Sequence, residues 1–466
     1  MATQPAYGDF PPPSRWLQLW RRVREFAVPP SMIETAGARR AAGDWGGACA
    51  AARVDVDLNL RTVASRHGSD VAAQIRDDLR HLAPDLLRWH MPRIVPDGLL
   101  RPGLTVGLAC YARPDAGPPL HLVARTSPGW ADAGQRFSLA IWDPTRPLAD
   151  VGLHPHPRPG RRFRLDLHRH LWDVRRTDEL RARSGAELAD PEGPERWAAE
   201  AAILLRAEAG SSWNGAPFGP QDGPRDARGR VGVRIGSRRL LVLDTATGSG
   251  TPPVLSASAR SREAGLPLLP DASIWTPPDL ALLRAGLVDA DALHPFVASA
   301  LAPGHKSAGP RAGAEKAPGQ QIVECRGSRH RIAVVDGVLS PLDHDPDELR
   351  REELLIALGG PPLPCLRTID LVHRGPDCLD DVRGRLDHGD LAGAIDVVEA
   401  LLGPDAVLRD GALRDELAEA ALRRIDHGLY RAGLIASRTK NAPRPPRRDV
   451  PARRFLRSRP RYGIAR

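Results

Sequence analysis

The sequence predicts an α+β protein: a first globular part with an antiparallel sheet flanked by helices, and a smaller, mainly helical second part with a short β-hairpin. Two observations predict this class. Short apolar runs bounded by Pro, Gly and Asp, at 104–111, 120–126 and 137–142, are typical of antiparallel strands. Apolar residues also recur at helical spacing before and after these runs. The 466 residues are enough for two or three domains with hydrophobic cores.

The first hundred residues divide into two regions. Residues 1–30 combine a Pro-rich start, which we expect to be disordered, with an amphipathic helix over 15–27. We expect this helix to pack on its neighbours; the alternatives are an anionic membrane surface and a partner protein. Residues 31–100 have a helical pattern in which Gly43 and Asp44 separate two helices, because Gly favours a helix end and Asp caps the next helix.

Residues 101–302 are predicted to be an α+β region that continues the first globular part. Besides the three strands above, alternating apolar residues over 231–235 predict one arm of a hairpin, which returns over 240–243. The helical stretches of this region are predicted at about 167–184, 196–209, 277–285 and 290–301.

A linker is predicted at 303–319, because this segment has no apolar residue larger than Ala. Residues 320–436 then form the mainly helical second domain. Its β-hairpin is predicted from the apolar runs 321–325 and 330–335. Residues 437–466 are predicted to be a disordered basic tail.

The positive charge of the chain belongs to this tail. The formal net charge is +9, and residues 438–466 hold eleven Lys and Arg against one acid, Asp449. The tail therefore has a net charge of +10, which leaves about −1 for the rest. Arg-rich segments attract nucleic acids and acidic surfaces, although they also occur as solubilising ends without a partner. The candidate polyanion-binding residues are Arg447, Arg448, Arg453, Arg454, Arg457, Arg459 and Arg461.

Cysteine usage and the start of the chain indicate a cytoplasmic protein. The five cysteines are odd in number, widely spaced and without a CxxC pair, which argues against a disulfide framework and against a structural zinc site. The start has no secretory pattern, and no apolar run approaches the ~18 residues of a membrane span. We expect no transmembrane segment and no cofactor. The cysteines are Cys49, Cys110, Cys325, Cys365 and Cys378.

The strongest candidate for chemistry is the cluster Asp166, His168 and His170. If 163–170 were a strand, these three side chains would project from one face and could bind a divalent metal, as in a metal-dependent hydrolase. If Asp166 instead caps a helix, the three ligands scatter. Neighbouring arginines also disfavour a cation, so a solvated polar face is the preferred interpretation.

Two other segments superficially resemble binding motifs. The acidic run 343–348 lacks the Gly and Glu that a calcium loop requires, and Asp345 as N-cap with Glu348 completing a capping box accounts for it. The Gly-rich loop at 244–250 is followed by Pro252 and Pro253 rather than by a helix, which argues against phosphate binding.

These patterns favour a non-enzymatic interaction or adaptor protein whose partner is another protein. Two alternatives stay open. One is an enzyme whose site is built from scattered residues, with Asp166, His168 and His170 as its metal version. The other is association with nucleic acid or another polyanion through the tail.

Three blocks of the sequence, 88–104, 165–181 and 339–365, resemble a family of uncharacterised proteins from GC-rich bacteria. The resemblance covers most of residues 20–435. A GC-rich coding bias also fits the three lysines, Lys306, Lys316 and Lys440, against 63 arginines. The family has no assigned function, so the resemblance implies no activity and no site residues.

Overall fold

The fold is taken from a computed structural model, which describes residues 13–94, 98–113, 117–147, 154–210, 229–235, 239–245, 254–257, 266–305 and 321–434. The chain separates into a larger unit, Met1–Ser307 with Leu429–Arg466, and a smaller unit, Ala308–Gly428. Both contain helices and sheets, which confirms the α+β class. The basic tail with its seven candidate polyanion-binding arginines, most of the predicted linker and residues 236–238 lie outside the described residues.

The main sheet of the larger unit has the strand order β1-β4-β3-β2. Its strands are β1 (Val54–Asp57), β2 (Thr105–Tyr111), β3 (Leu120–Thr126) and β4 (Phe137–Trp142). The pairs β2–β3 and β3–β4 are antiparallel, as predicted. β1 pairs in parallel with β4 and is not predicted by the sequence, because its four residues stand alone within a helical pattern.

Helices of the larger unit contribute to one hydrophobic core with this sheet. The first helix continues into a π-helical turn at Val23–Ala27. The helix predicted at about 167–184 is instead two 3₁₀ turns, Arg169–Leu171 and Val174–Glu179, followed by one short α-helix. The helices are α1 (Pro13–Arg22), α2 (Pro30–Ala41), α3 (Trp45–Ala51), α4 (Leu60–His67), α5 (Ser69–His81), α6 (Pro84–His90), α7 (Leu180–Arg183), α8 (Pro194–Gly210), α9 (Asp271–Ile274), α10 (Pro278–Arg284) and α11 (Pro295–Leu301).

A second sheet of the larger unit contains β5 (Arg230–Ile235), β6 (Arg239–Asp244) and β7 (Val254–Ala257), all antiparallel. Its first two strands are the predicted hairpin. Trp197 and Leu204 of α8 share a separate core with this sheet, because they pack with apolar residues from its strands.

The smaller unit holds an antiparallel sheet of order β10-β9-β8. Its core is aliphatic and includes Ile332, Ile369, Val382 and Leu402. Its elements are β8 (Gln321–Cys325), β9 (Ser328–Val335), β10 (Val338–Pro341), α12 (Pro346–Ala357), α13 (Pro364–Arg374), α14 (Leu379–His388), α15 (Leu391–Leu402) and α16 (Ala412–Arg431). The last three residues of α16, from Leu429, are assigned to the larger unit. Within the described ranges, no helix has the length and apolar character that crossing a bilayer requires.

The same helix-to-helix corner occurs in both units. Asp44 caps α3 and accepts a hydrogen bond from the backbone N–H of Gly47 at 2.8 Å, as the sequence predicted for this cap. Asp390 caps α15 in the same way through Gly393, at 3.3 Å. A Cβ atom on Gly47 would lie 2.1 Å from the Asp44 carboxylate, and one on Gly393 would lie 2.2 Å from Asp390. Both corners therefore require Gly three residues after the Asp cap.

Candidate metal centre

Four side chains of the types that bind transition metals meet in the smaller unit. They are Cys325, His330, His344 and Cys365, and one ligand atom of each lies within 4.8 Å of the others. In the part of the chain that the structure describes, this is the one such group of three or more Cys, His, Asp or Glu side chains. The cluster is therefore the candidate site.

The hairpin β8–β9 supplies the first two ligands. Cys325 ends β8, and Arg326 and Gly327 turn the chain with φ values of 53° and 80°. Cys325 pairs with Ser328, and His330 follows two residues later on β9. Because side chains alternate between the two faces of a strand, Cys325 and His330 project from the same face of the hairpin.

The starts of two helices supply the other ligands. His344 directly precedes Asp345, which caps α12 by accepting a hydrogen bond from the backbone N–H of Asp347 at 3.1 Å. Cys365 is the second residue of α13 and follows Pro364, whose fixed φ suits a first helical position. Three of the four ligands therefore lie in regular elements, and His344 lies directly before the cap of α12.

The spacing of the ligand atoms suits a tetrahedral metal ion. Nδ1 of His330 lies 2.6 Å from Nε2 of His344 and 3.8 Å from Sγ of Cys365. Bonds of about 2.0–2.3 Å from Zn²⁺ to nitrogen and sulfur imply distances of roughly 3.3–3.8 Å between neighbouring ligand atoms. Metal binding would require the distance between these two imidazole nitrogens to increase by less than ~1 Å.

The two thiols are buried in an apolar environment. Cys325, Cys365 and Leu363 form a small buried cluster of their own. Burial, reinforced by the hydrogen bond with Cys325, raises the pKa of the Cys365 thiol to about 12. Cys365 is therefore protonated at neutral pH unless a cation replaces its proton, so metal binding must release a proton.

Charged side chains surround the ligands on one side. Nδ1 of His344 lies 3.5 Å from Oε2 of Glu348, one turn into α12. Arg326, the residue after the ligand Cys325, donates to Glu348 at 2.7 Å and to Glu352 at 2.6 Å. Arg326 therefore connects the hairpin turn to the first two turns of α12.

The structure does not bring Asp166, His168 and His170 together as ligands. Residues 163–170 are not a strand: Arg164 makes one isolated bridge with Gly107, and a 3₁₀ turn begins at Arg169. Asp166 instead accepts from the Arg164 guanidinium at 2.9 Å. His168 and His170 are buried, which also contradicts a solvated face for these two residues.

His168 belongs to a buried hydrogen-bond cluster with Glu200 and Ser273. Its Nδ1 donates to the carbonyl of Arg164 at 3.0 Å, and its Nε2 lies 2.9 Å from Ser273 Oγ and 3.1 Å from Glu200. Burial raises the pKa of Glu200, but hydrogen bonds from His168 and Arg183 outweigh burial and lower it overall. A catalytic triad requires the Ser and the carboxylate on opposite nitrogens of the imidazole, so this cluster is not a triad.

The candidate metal centre was not predicted from the sequence, because its four candidate ligands match no short motif. The ligands are separated by 4, 13 and 20 residues, whereas the prediction of no structural zinc site depended on the spacing of the cysteines alone. The strongest available signal was Cys325 and His330 on either side of the turn at Gly327. Glu348 does not complete a capping box as predicted, since its carboxylate contacts Arg326 and His344.

No family model, curated protein or solved structure matches the chain. The resemblance to proteins from GC-rich bacteria therefore stays a prediction, and the functional proposal depends on the geometry and chemistry of the chain itself.

Proposed function

We propose that the smaller unit binds one Zn²⁺ ion through Cys325, His330, His344 and Cys365, and that the ion is structural. The convergence of four sulfur and nitrogen atoms within 4.8 Å supports this proposal. Two thiolates and two imidazoles are a preferred ligand set for Zn²⁺. Four protein ligands fill a tetrahedral ion and leave no open position for a reacting water, so a catalytic role is disfavoured.

The composition of the smaller unit supports a structural role. Residues 308–428 contain no Phe, Tyr or Trp. Aromatic side chains bury about 150–250 Å² each and contribute strongly to most cores. A small unit without them gains stability from a metal that links its hairpin to two helices.

Metal analysis of the purified protein tests this proposal. We expect about one zinc per chain by mass spectrometry in the wild type and less than about a tenth of that after Cys325→Ser with Cys365→Ser. A matched control, Cys110→Ser with Cys378→Ser, should keep the zinc. A wild type that binds no zinc after addition of the metal would contradict the proposal, as would equal zinc in both double variants.

We further propose that the protein is a non-enzymatic interaction protein of the cytoplasm whose partner is another protein. None of the side chains of α12 is fully buried, and Leu354, Leu355 and Leu358 are 62%, 51% and 85% exposed. Leucines on one side of a helix fit a partner that offers an apolar groove. A reducing compartment would also keep the two metal-binding thiols unoxidised.

A pull-down at low and high salt tests the interaction. Leu354→Asp with Leu358→Asp should remove a partner that the wild type retains at high salt, while Leu422→Asp, an equally exposed leucine on α16, should not. Equal retention by the two variants would contradict the proposed surface. Binding that disappears at high salt and on deletion of 437–466 would instead support polyanion association through the tail.

A further inference from the structure

The residues beside the metal ligands link the proposed metal site to helix α12. We infer that Glu348 is a positioning residue that orients His344 for the metal, and that the bound metal in turn holds α12 in place. This inference depends on the proposed zinc site.

Glu348 is placed to orient the imidazole of His344. A metal-binding imidazole presents one nitrogen to the ion and usually donates the other N–H to a carboxylate or carbonyl. Glu348 Oε2 lies on the Nδ1 side of His344, at 3.5 Å, while Nε2 faces His330. A proton held on Nδ1 by Glu348 leaves the lone pair of Nε2 free for the metal.

Arg326 holds the carboxylate of Glu348 in place. Arg326 donates to Glu348 at 2.7 Å and follows the ligand Cys325 directly in the sequence. The carboxylate is therefore positioned from both sides, by its own helix and by the hairpin turn. Arg326 also donates to Glu352, so the same guanidinium contacts two successive turns of α12.

Helix α12 depends on the metal for its position. No side chain of this helix is fully buried, so hydrophobic packing contributes little to its position. Its ion pairs with Arg326 are partly exposed, and such pairs contribute little on their own. A metal bond to His344, immediately before the helix, is the strong attachment at its N-terminal end.

Zinc affinity tests the positioning role. In competition with a chromophoric chelator, Glu348→Gln should weaken Zn²⁺ binding by about 10- to 100-fold. Glu353→Gln, on the same helix, should change it by less than about twofold. Arg326→Met should act in the same direction as Glu348→Gln. The spectrum of the Co²⁺-loaded protein should change in Glu348→Gln and not in Glu353→Gln, which a purely structural role of Glu348 would not produce.

Hydrogen exchange tests the attachment of α12. At a free zinc concentration that saturates the wild type and leaves Glu348→Gln partly empty, the amides of Pro346–Ala357 should exchange at least about fivefold faster in Glu348→Gln than in the wild type. Those of Leu379–His388 should exchange at the wild-type rate, which shows that the unit is still folded. If the wild type binds zinc and Glu348→Gln binds it equally well, or if α12 exchanges equally in both proteins, the inference is wrong. A wild type that binds no zinc would overturn the proposed function itself.

Discussion

The two units of the chain are stabilised by different kinds of interior. All ten tryptophans belong to the larger unit, and the largest fully buried side chains, such as Trp89, Trp172 and Phe137, lie there. The smaller unit has only aliphatic core residues and a buried pair of thiols. The second unit would therefore gain more than the first from a cross-link that a metal can supply.

Both interiors bury histidines, and those of the smaller unit include His373, His388 and His427. The larger unit buries several histidines, among them His121, His154 and His170. Burial lowers the pKa values of all three, so the folded larger unit holds them neutral. Acid should therefore destabilise the larger unit, whereas removal of a metal should act on the smaller one.

Chelation should produce the largest difference between the units. Small zinc-dependent domains owe ~10–16 kcal/mol of apparent stability to the ion, and we expect a loss of at least several kcal/mol in the smaller unit. Hydrogen exchange should then accelerate over 321–428, first in α12. Tryptophan fluorescence, which reports only the larger unit, should show an unfolding midpoint within about 2 °C of the untreated protein. Unchanged exchange over 321–428 would mean that no metal stabilises the smaller unit.

Acid should destabilise the larger unit. The pKa values of His121 and His154 are lowered to about 4, so the unfolded chain takes up protons more readily than the folded chain. Stability is therefore complete above the unfolded pKa near 6.5 and decreases as the pH falls from there towards 4. The loss at pH 5 should be about 2 kcal/mol for each histidine.

Urea unfolding followed by tryptophan fluorescence at pH 7 and pH 5 measures this loss. His121→Gln should remove about one histidine's share of the pH dependence. A variant with the full wild-type dependence would show that His121 does not contribute.

The smallest effects are expected at the two matching corners. Gly47→Ala and Gly393→Ala should each cost about 1 kcal/mol, because the new Cβ forces the Asp cap to rotate and lose its hydrogen bond. Gly37→Ala in α2 is the control, since no atom lies within 4 Å of its Cβ position, and it should be neutral or stabilising. Of the two corner variants, only Gly47→Ala should lower the midpoint of the tryptophan transition. Equal stability of all three variants would show that the corners tolerate a side chain.

The sequence predicted the elements that local rules determine. The strands β2 to β4 lie between Pro, Gly and Asp residues, and their bounds agree with the prediction to within one residue. Asp345 and Pro346 likewise begin α12 as predicted. The short parallel strand β1 could not be predicted in this way, because its partner β4 lies about eighty residues away.

The candidate metal centre could not be predicted from local rules for the same reason. Cys325 and Cys365 are 40 residues apart in sequence, and only the packing of α13 near the hairpin brings them together. The predicted cluster at Asp166 shows the opposite case. Its residues are close in sequence, but Asp166 contacts the Arg164 guanidinium, whereas Nε2 of His168 faces Glu200 and Ser273.

Among the described residues, the basic partner of every salt bridge that does not involve histidine is an arginine. Arg326 with Glu348 is one example. The three lysines, Lys306, Lys316 and Lys440, all lie outside the described residues. Amine-directed reagents do not modify guanidinium groups at neutral pH. Such reagents therefore leave the guanidinium groups of the described ion pairs unmodified, including those of Arg326 with Glu348 and of Arg385 with Asp390.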